Sequence, residues 1–126
     1  MRFDGKAREN LDAAERLLPS DEADEVDALC NAAASRAYYA AYLAVAHRAQ
    51  RDQRPLDERG YYAHDKLADR ALAWRILSID EADDLRLLWG RRVKADYYED
   101  HVSIEEASEA AELAKSFMVL IEEEAS

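Results

Sequence analysis

The stretch ALCNAAASRAYYAAYLAVA, residues 28–46, decides the fold. It contains no glycine or proline and is mostly apolar around the whole circumference of a helix, which is typical of a helix surrounded by others. Its many alanines favour helix formation and allow neighbouring helices to approach closely. A membrane span is disfavoured because Asn31, Ser35 and Arg36 interrupt the run, and a charge in mid-span is costly. The stretch therefore predicts the central helix of a small all-α protein.

The rest of the chain also has helical patterns, interrupted by only three glycines and two prolines. Ser20 is a candidate cap for the central helix, and Ser78 and Ser103 each begin a capping-box pattern. Short loops between helices predict one domain, residues 1–126, folded as an antiparallel up-and-down bundle of about five helices. The predicted helices cover residues 3–18, 20–50, 61–76, 78–97 and the segment from 103 onwards.

Composition limits the classes of function. The 126 residues include 28 acidic and 17 basic side chains, for a formal charge of −11. This charge disfavours a general nucleic-acid coat but leaves room for a small basic pocket on an acidic body. The single cysteine, Cys30, excludes an intramolecular disulfide. The N-terminus lacks a signal-peptide pattern, so the cytoplasm is the expected location.

Two charged residues continue the apolar face of the fourth predicted helix. Leu85, Leu88 and Trp89 recur at helical spacing, and positions three and four apart share one side of a helix. Arg92 and Asp96 follow on that side. An ion pair at a frayed helix end is one interpretation, and a functional or interface role is the other. The apolar surroundings favour the second. The candidate catalytic residues are Arg92, Asp96, Tyr97 and His64.

Arg36 lies within the segment SRAYYAAY, residues 35–42, among side chains expected in the core. A buried charge is costly unless it is paired. We therefore predict that Arg36 is buried and bonded to a carboxylate, with Asp96 as the favoured partner. A structural ion pair and a fork for a phosphate or carboxylate ligand fit this pattern equally well. The candidate ligand-binding residues are Arg36, Tyr39 and Arg92.

His64 is predicted on the inward face of the third helix, one turn before Leu67. A single histidine on an apolar face is usually a core residue whose ring nitrogens are satisfied. The dipeptide His64-Asp65 also occurs in metal phosphohydrolases, but only His47 and His101 could complete such a site. We predict no metal site and no cofactor, and His64 stays a candidate proton carrier.

Four stretches, found in the same order along nearly the whole chain, carry a family resemblance. They are SRAYYAAY at 35–42, AHDKL at 63–67, RVKADY at 92–97 and VSIEEA at 102–107. Together they resemble the HEPN family of prokaryotic domains, in particular its small stand-alone members with an Arg-x-x-Ala-Asp-Tyr motif.

The resemblance implies an all-helical bundle that forms a homodimer. Many members of the family are ribonucleases, often toxins of toxin–antitoxin or phage-defence systems, and others are encoded beside a minimal nucleotidyltransferase. The family motif is an arginine followed, after a short spacer, by a histidine. Two motifs meet across the dimer and cleave RNA without metal: the arginine stabilises the phosphate and the histidine moves protons.

This chain departs from that motif, because Tyr97, Tyr98 and Glu99 occupy the positions of the histidine. Tyrosine, with an ordinary pKa of about 10, is a poor general base at neutral pH. We therefore predict weak or absent ribonuclease activity. The leading hypothesis is a dimeric nucleotide- or RNA-associated module of a toxin–antitoxin or defence system, with a nucleotidyltransferase as candidate partner. The alternatives are a metal-independent endoribonuclease with a degenerate motif and a non-catalytic scaffold dimer.

Overall fold

A computed structural model describes residues 3–18, 26–56, 62–97 and 102–122, and side chains within 5–18, 28–56, 62–95 and 102–121. All regular secondary structure in these ranges is helical, which confirms the predicted all-α class. Ser20, the predicted cap of the central helix, lies outside the described residues. The helices are α1 (Phe3–Arg16), α2 (Val26–Arg51), α3 (Leu67–Ala73), α4 (Ile79–Tyr97), α5 (Ile104–Ser116) and the single turn α6 (Val119–Glu122).

The long helix α2 is the centre of the bundle. It packs against α1, α4, α5 and α6, so four other helices take their position from it. Most of its buried residues are alanines. Those that are fully buried are Ala33, Ala34, Ala37, Ala40, Ala41, Ala44, Ala46 and Ala49. None of the described helices combines the length and the apolarity needed to cross a membrane.

Both predicted capping boxes are present. The backbone N–H of Glu81 donates to Ser78 Oγ at 3.2 Å, and the Glu81 carboxylate accepts from the Ser78 N–H at 2.9 Å. Ser103 and Glu106 make the same reciprocal pair at the start of α5. These bonds satisfy helix N–H groups that have no partner within the helix, which fixes where α4 and α5 begin.

Ion pairs connect α4 to α5 close to the end of α4. Arg91 bonds to Glu106 and, at 2.6 Å, to Glu109, while Lys94 Nζ lies 3.3 Å from Glu106. The backbone N–H of Ser103 and the charges of Lys94 and Arg91 hold the pKa of Glu106 below its ordinary value, against a smaller opposing effect of burial. One carboxylate therefore caps α5 and binds two cations of α4.

The third helix is shorter than predicted: α3 begins at Leu67, not at residue 61. The reason is a pair of tertiary hydrogen bonds at Tyr62. Its carbonyl accepts from Tyr42 Oη at 2.7 Å, and its own hydroxyl donates to the Arg54 carbonyl at 2.9 Å. These bonds hold the segment before α3 in an irregular path. The prediction that His64 lies on a helix is therefore wrong, because it lies in the turn before α3.

Two helices are followed, two residues after their last residue, by a residue other than glycine with a left-handed backbone. Gln53 has φ 59° and Arg75 has φ 61°. After α2, Gln53 N–H donates to the Gln50 carbonyl and Arg54 N–H to the Ala49 carbonyl; α3 ends with the same pattern. Such paired bonds satisfy the last carbonyls of a helix. The final predicted helix also breaks, at Phe117 and Met118, before α6 begins.

Candidate functional site

Arg92 lies partly buried against three aromatic rings where α4 meets α2. Its Cζ is 4.9 Å from the ring centroid of Tyr39, 5.2 Å from that of Trp89 and 5.8 Å from that of Tyr38. One guanidinium nitrogen, Nη2, donates a hydrogen bond of 2.9 Å to Tyr39 Oη. A cation over an aromatic face gains roughly 0.5–2 kcal/mol, more where water is excluded. Contacts within the chain therefore stabilise the charge of Arg92.

The turn before α3 brings His64 to the same rings. Its imidazole is stacked parallel to Trp89, with centroids 5.4 Å apart and planes at 5°, and lies 4.2 Å from the Tyr42 ring. Nδ1 is 2.6 Å from Tyr38 Oη. Nε2 has no hydrogen-bond partner among the described residues. The ring is thus held by stacking and by one nitrogen, and its other nitrogen is available to a ligand.

Burial and a nearby positive charge shift the pKa of His64 in the same direction. Desolvation and then the positive charge of Arg92 lower the pKa of His64, with a smaller opposing effect of Asp65. Burial is also the main cause that raises the pKa of Tyr38 far above its ordinary value, so its hydroxyl keeps its proton. A neutral imidazole has one donor and one acceptor nitrogen. The Tyr38 hydroxyl can serve either tautomer of His64, because it both donates and accepts.

The structure brings two of the four candidate catalytic residues together. His64 and Arg92 both contact the rings of Trp89, Tyr38 and Tyr39. Asp96 and Tyr97 belong to the last turn of α4, and their side chains lie outside the described residues. The described candidate pair is therefore one cation and one neutral base.

An open groove of ≈ 390 Å³ runs along one face of α2 beside this cluster. Tyr39 belongs to both features: it lines the groove, and its hydroxyl accepts from Arg92. All three candidate ligand-binding residues are thus adjacent, since Arg36 also lines the groove and Tyr39 connects it to Arg92. The groove is lined by Asn31, Ala32, Ser35, Arg36 and Tyr39.

The prediction that Arg36 is buried is wrong. Its side chain is exposed, and Nη1 donates a hydrogen bond of 3.3 Å to Oδ1 of Asn10 on α1. The predicted partner, Asp96, has a side chain outside the described residues. The error has a physical cause: alanine is small enough for either environment, so the alanine-rich pattern of α2 does not distinguish its open face from its covered faces.

Metal-ligating residues do not gather in this part of the fold. In the described ranges, no group of three or more His, Cys, Asp or Glu side chains is placed to hold a metal ion. The polar groups that the described residues place at the cluster and groove include guanidinium, imidazole, amide and hydroxyl groups, with the Asp65 carboxylate near His64. Guanidinium and hydroxyl donors suit an anionic ligand.

Several contributing residues were not singled out as site residues from the sequence. Tyr38 and Trp89 carry the ring contacts of His64 and Arg92, and Asn10 contacts Arg36 from another helix. Spacing offered a signal for one of them, because Trp89 precedes Arg92 by three positions and so shares its helix face. No sequence signal identified Asn10, because its contact with Arg36 depends on how α1 packs against α2.

Comparison of the chain with protein-family models, with curated proteins and with solved structures finds no match.

We predict that Arg92→Gln raises the pKa of His64. The substitution removes a positive charge that disfavours the imidazolium form, and a lowered pKa moves back toward its ordinary value when its cause is removed. NMR titration of the His64 ring protons measures this directly. Arg51→Gln is the matched control, because it removes the same charge from an exposed residue at the end of α2. An unchanged pKa in Arg92→Gln would contradict the electrostatic contact.

Proposed function

We propose that this protein is a HEPN-like, dimeric, cytoplasmic module that binds a nucleotide or an RNA segment in the groove of α2. The observation that carries the proposal is that Tyr39 lines the groove with Arg36 and accepts a hydrogen bond from Arg92. The sequence resemblance supports a role in a toxin–antitoxin or defence system and a nucleotidyltransferase as partner.

The groove and its border present donors suited to a phosphate. Arg36 is exposed at the groove, and its planar fork can donate two parallel hydrogen bonds to phosphate oxygens. The Tyr39 hydroxyl accepts from Arg92, and its own hydrogen has no acceptor among the described residues. That O–H can donate to a ligand. The ring of Tyr39 also offers an aromatic surface on which a base can stack.

Size and charge limit what binds here. A groove of ≈ 390 Å³ falls in the range of small-ligand sites, roughly 300–1,000 Å³. The formal charge of −11 repels a long polyanion, so binding has to come from local contacts. Neutralising about two phosphates of a single strand gives a slope of about −1.4 in log K against log salt. A mononucleotide or a short single-stranded segment therefore suits the site better than a duplex.

We expect a short fluorescent oligouridylate to bind the wild-type protein at low salt, with a shallow salt dependence. Arg36→Gln and Arg92→Gln should each weaken binding about tenfold, which corresponds to about 1.4 kcal/mol for one charge-assisted contact. Fluorescence anisotropy gives the dissociation constants. Arg51→Gln, which removes an equal charge elsewhere on α2, should bind like wild type. Equal losses in all three variants would indicate general electrostatics, and no binding by wild type would refute the proposal.

Cleavage of RNA is the second candidate function, and one observation favours it: His64 lies beside Arg92 with Nε2 available. A lowered pKa keeps His64 neutral at pH 7, so it could accept a proton from a ribose hydroxyl while Arg92 stabilises the phosphate. Binding remains the leading proposal, because the described side chains show a single histidine beside Arg92 and tyrosines occupy the motif positions.

For the purified protein in chelator we predict weak or absent RNA cleavage. Gel analysis of a labelled RNA incubated with wild type, Arg92→Ala, His64→Ala and Tyr97→Phe tests this. Robust cleavage that disappears in Arg92→Ala and His64→Ala but survives in Tyr97→Phe would establish the ribonuclease and identify His64 as the proton carrier. Cleavage that persists in every variant would indicate a contaminating nuclease.

We also propose a homodimer, on the strength of the family resemblance. Aromatic rings of its own chain lie against Arg92, so stabilising this charge does not by itself require a second subunit. Light scattering at micromolar concentration should give twice the chain mass of 14.3 kDa. A mass of one chain would refute the dimer and would leave the binding proposal intact.

A further inference from the structure

Arg36 is a long, exposed side chain, and it loses rotamer freedom when a ligand immobilises it. Freezing one such side chain reduces affinity by roughly two- to tenfold. A contact that already restricts the free side chain recovers part of this loss. Such a contact exists on α1, where Asn10 Oδ1 accepts from Arg36 Nη1 at 3.3 Å.

Asn10 is itself fixed by a second hydrogen bond. Its Nδ2 donates to the Lys6 carbonyl, one turn earlier on α1, at 2.8 Å. A carbonyl accepts only from the amide's NH₂ end, so the amide oxygen of Asn10 is left to face Arg36. Helix α1 therefore presents a hydrogen-bond acceptor of defined orientation to the guanidinium.

The kind of acceptor matters as much as its position. A carboxylate here would form an ion pair with Arg36 and compete with an anionic ligand for the guanidinium. The amide of Asn10 restrains the side chain and leaves its full charge for the ligand. The chain is rich in carboxylates, with Glu9 and Asp12 close by on α1, yet the residue that contacts Arg36 is neutral.

We infer that Asn10 is a positioning residue for anion binding: it holds Arg36 at the groove without neutralising it. The inference rests on the proposed binding function and adds a residue from a second helix, outside the groove lining. It assigns to α1 a part in ligand affinity besides its packing against α2.

A double-mutant cycle with the labelled oligouridylate tests the inference. Asn10→Ala should weaken binding about two- to tenfold, the range for one side chain that loses its restraint. Asn10→Asp should weaken it further, because it adds a competing charge. In an Arg36→Gln background Asn10→Ala should have no effect, and Asn10→Asp should match Gln50→Glu, which adds the same charge at an exposed position near the end of α2. Thermal melting should show that Asn10→Ala stays folded, since alanine is the better helix former.

The outcomes separate this inference from the function on which it rests. If wild type binds, Arg36→Gln weakens binding and Asn10→Ala binds like wild type, the function stands and the role of Asn10 is refuted. Equal effects of Asn10→Ala in the presence and absence of Arg36 would also refute it, because a purely structural role does not depend on the guanidinium. If wild type does not bind, both proposals are refuted.

Discussion

Close packing around the alanines of α2 is the constraint on which the rest of the structure depends. A helix whose buried positions are mostly alanine lets its neighbours approach closely, and dispersion contacts between well-packed atoms then accumulate. The rings of α2 break this pattern at Tyr38, Tyr39 and Tyr42. Closely packed helices leave little room for aromatic rings between them. The three rings therefore lie on the side where α4 and the turn before α3 meet α2.

The aromatic cluster explains how a charge is tolerated in this region. Aromatic faces and a tyrosine hydroxyl stabilise the Arg92 cation, and these contacts leave its charge in place. The described hydrogen-bond acceptor of Arg36, the amide oxygen of Asn10, is also a neutral group. Neutral groups thus contribute to holding both arginines, in a chain where acidic residues outnumber basic ones by 28 to 17. These contacts do not cancel the positive charges of the two side chains.

The sequence was sufficient for the features that depend on local signals. The helical class, the central helix and both capping boxes follow from periodicity and from serine–glutamate spacing, and the structure confirms them. Features set by tertiary contacts could not be predicted. The hydrogen bonds of Tyr62 with Tyr42 and Arg54 shorten α3, and no local sequence pattern predicts these bonds. The exposure of Arg36 depends on which face of α2 its neighbours leave uncovered, and alanine periodicity does not record that.

The carboxylate of Glu106 couples the stability of the end of α4, which carries Arg92, to that of the start of α5. It accepts from the backbone at the start of α5 and from Arg91 and Lys94 on either side of Arg92 in the chain. Fraying of α5 at this end would release the cations of α4, and fraying of α4 would remove partners from the cap of α5. The two helix ends therefore open as one cooperative unit rather than separately. The orientation of Arg92 is thereby linked to the local stability of a helix that does not contribute a residue to the described groove or aromatic cluster.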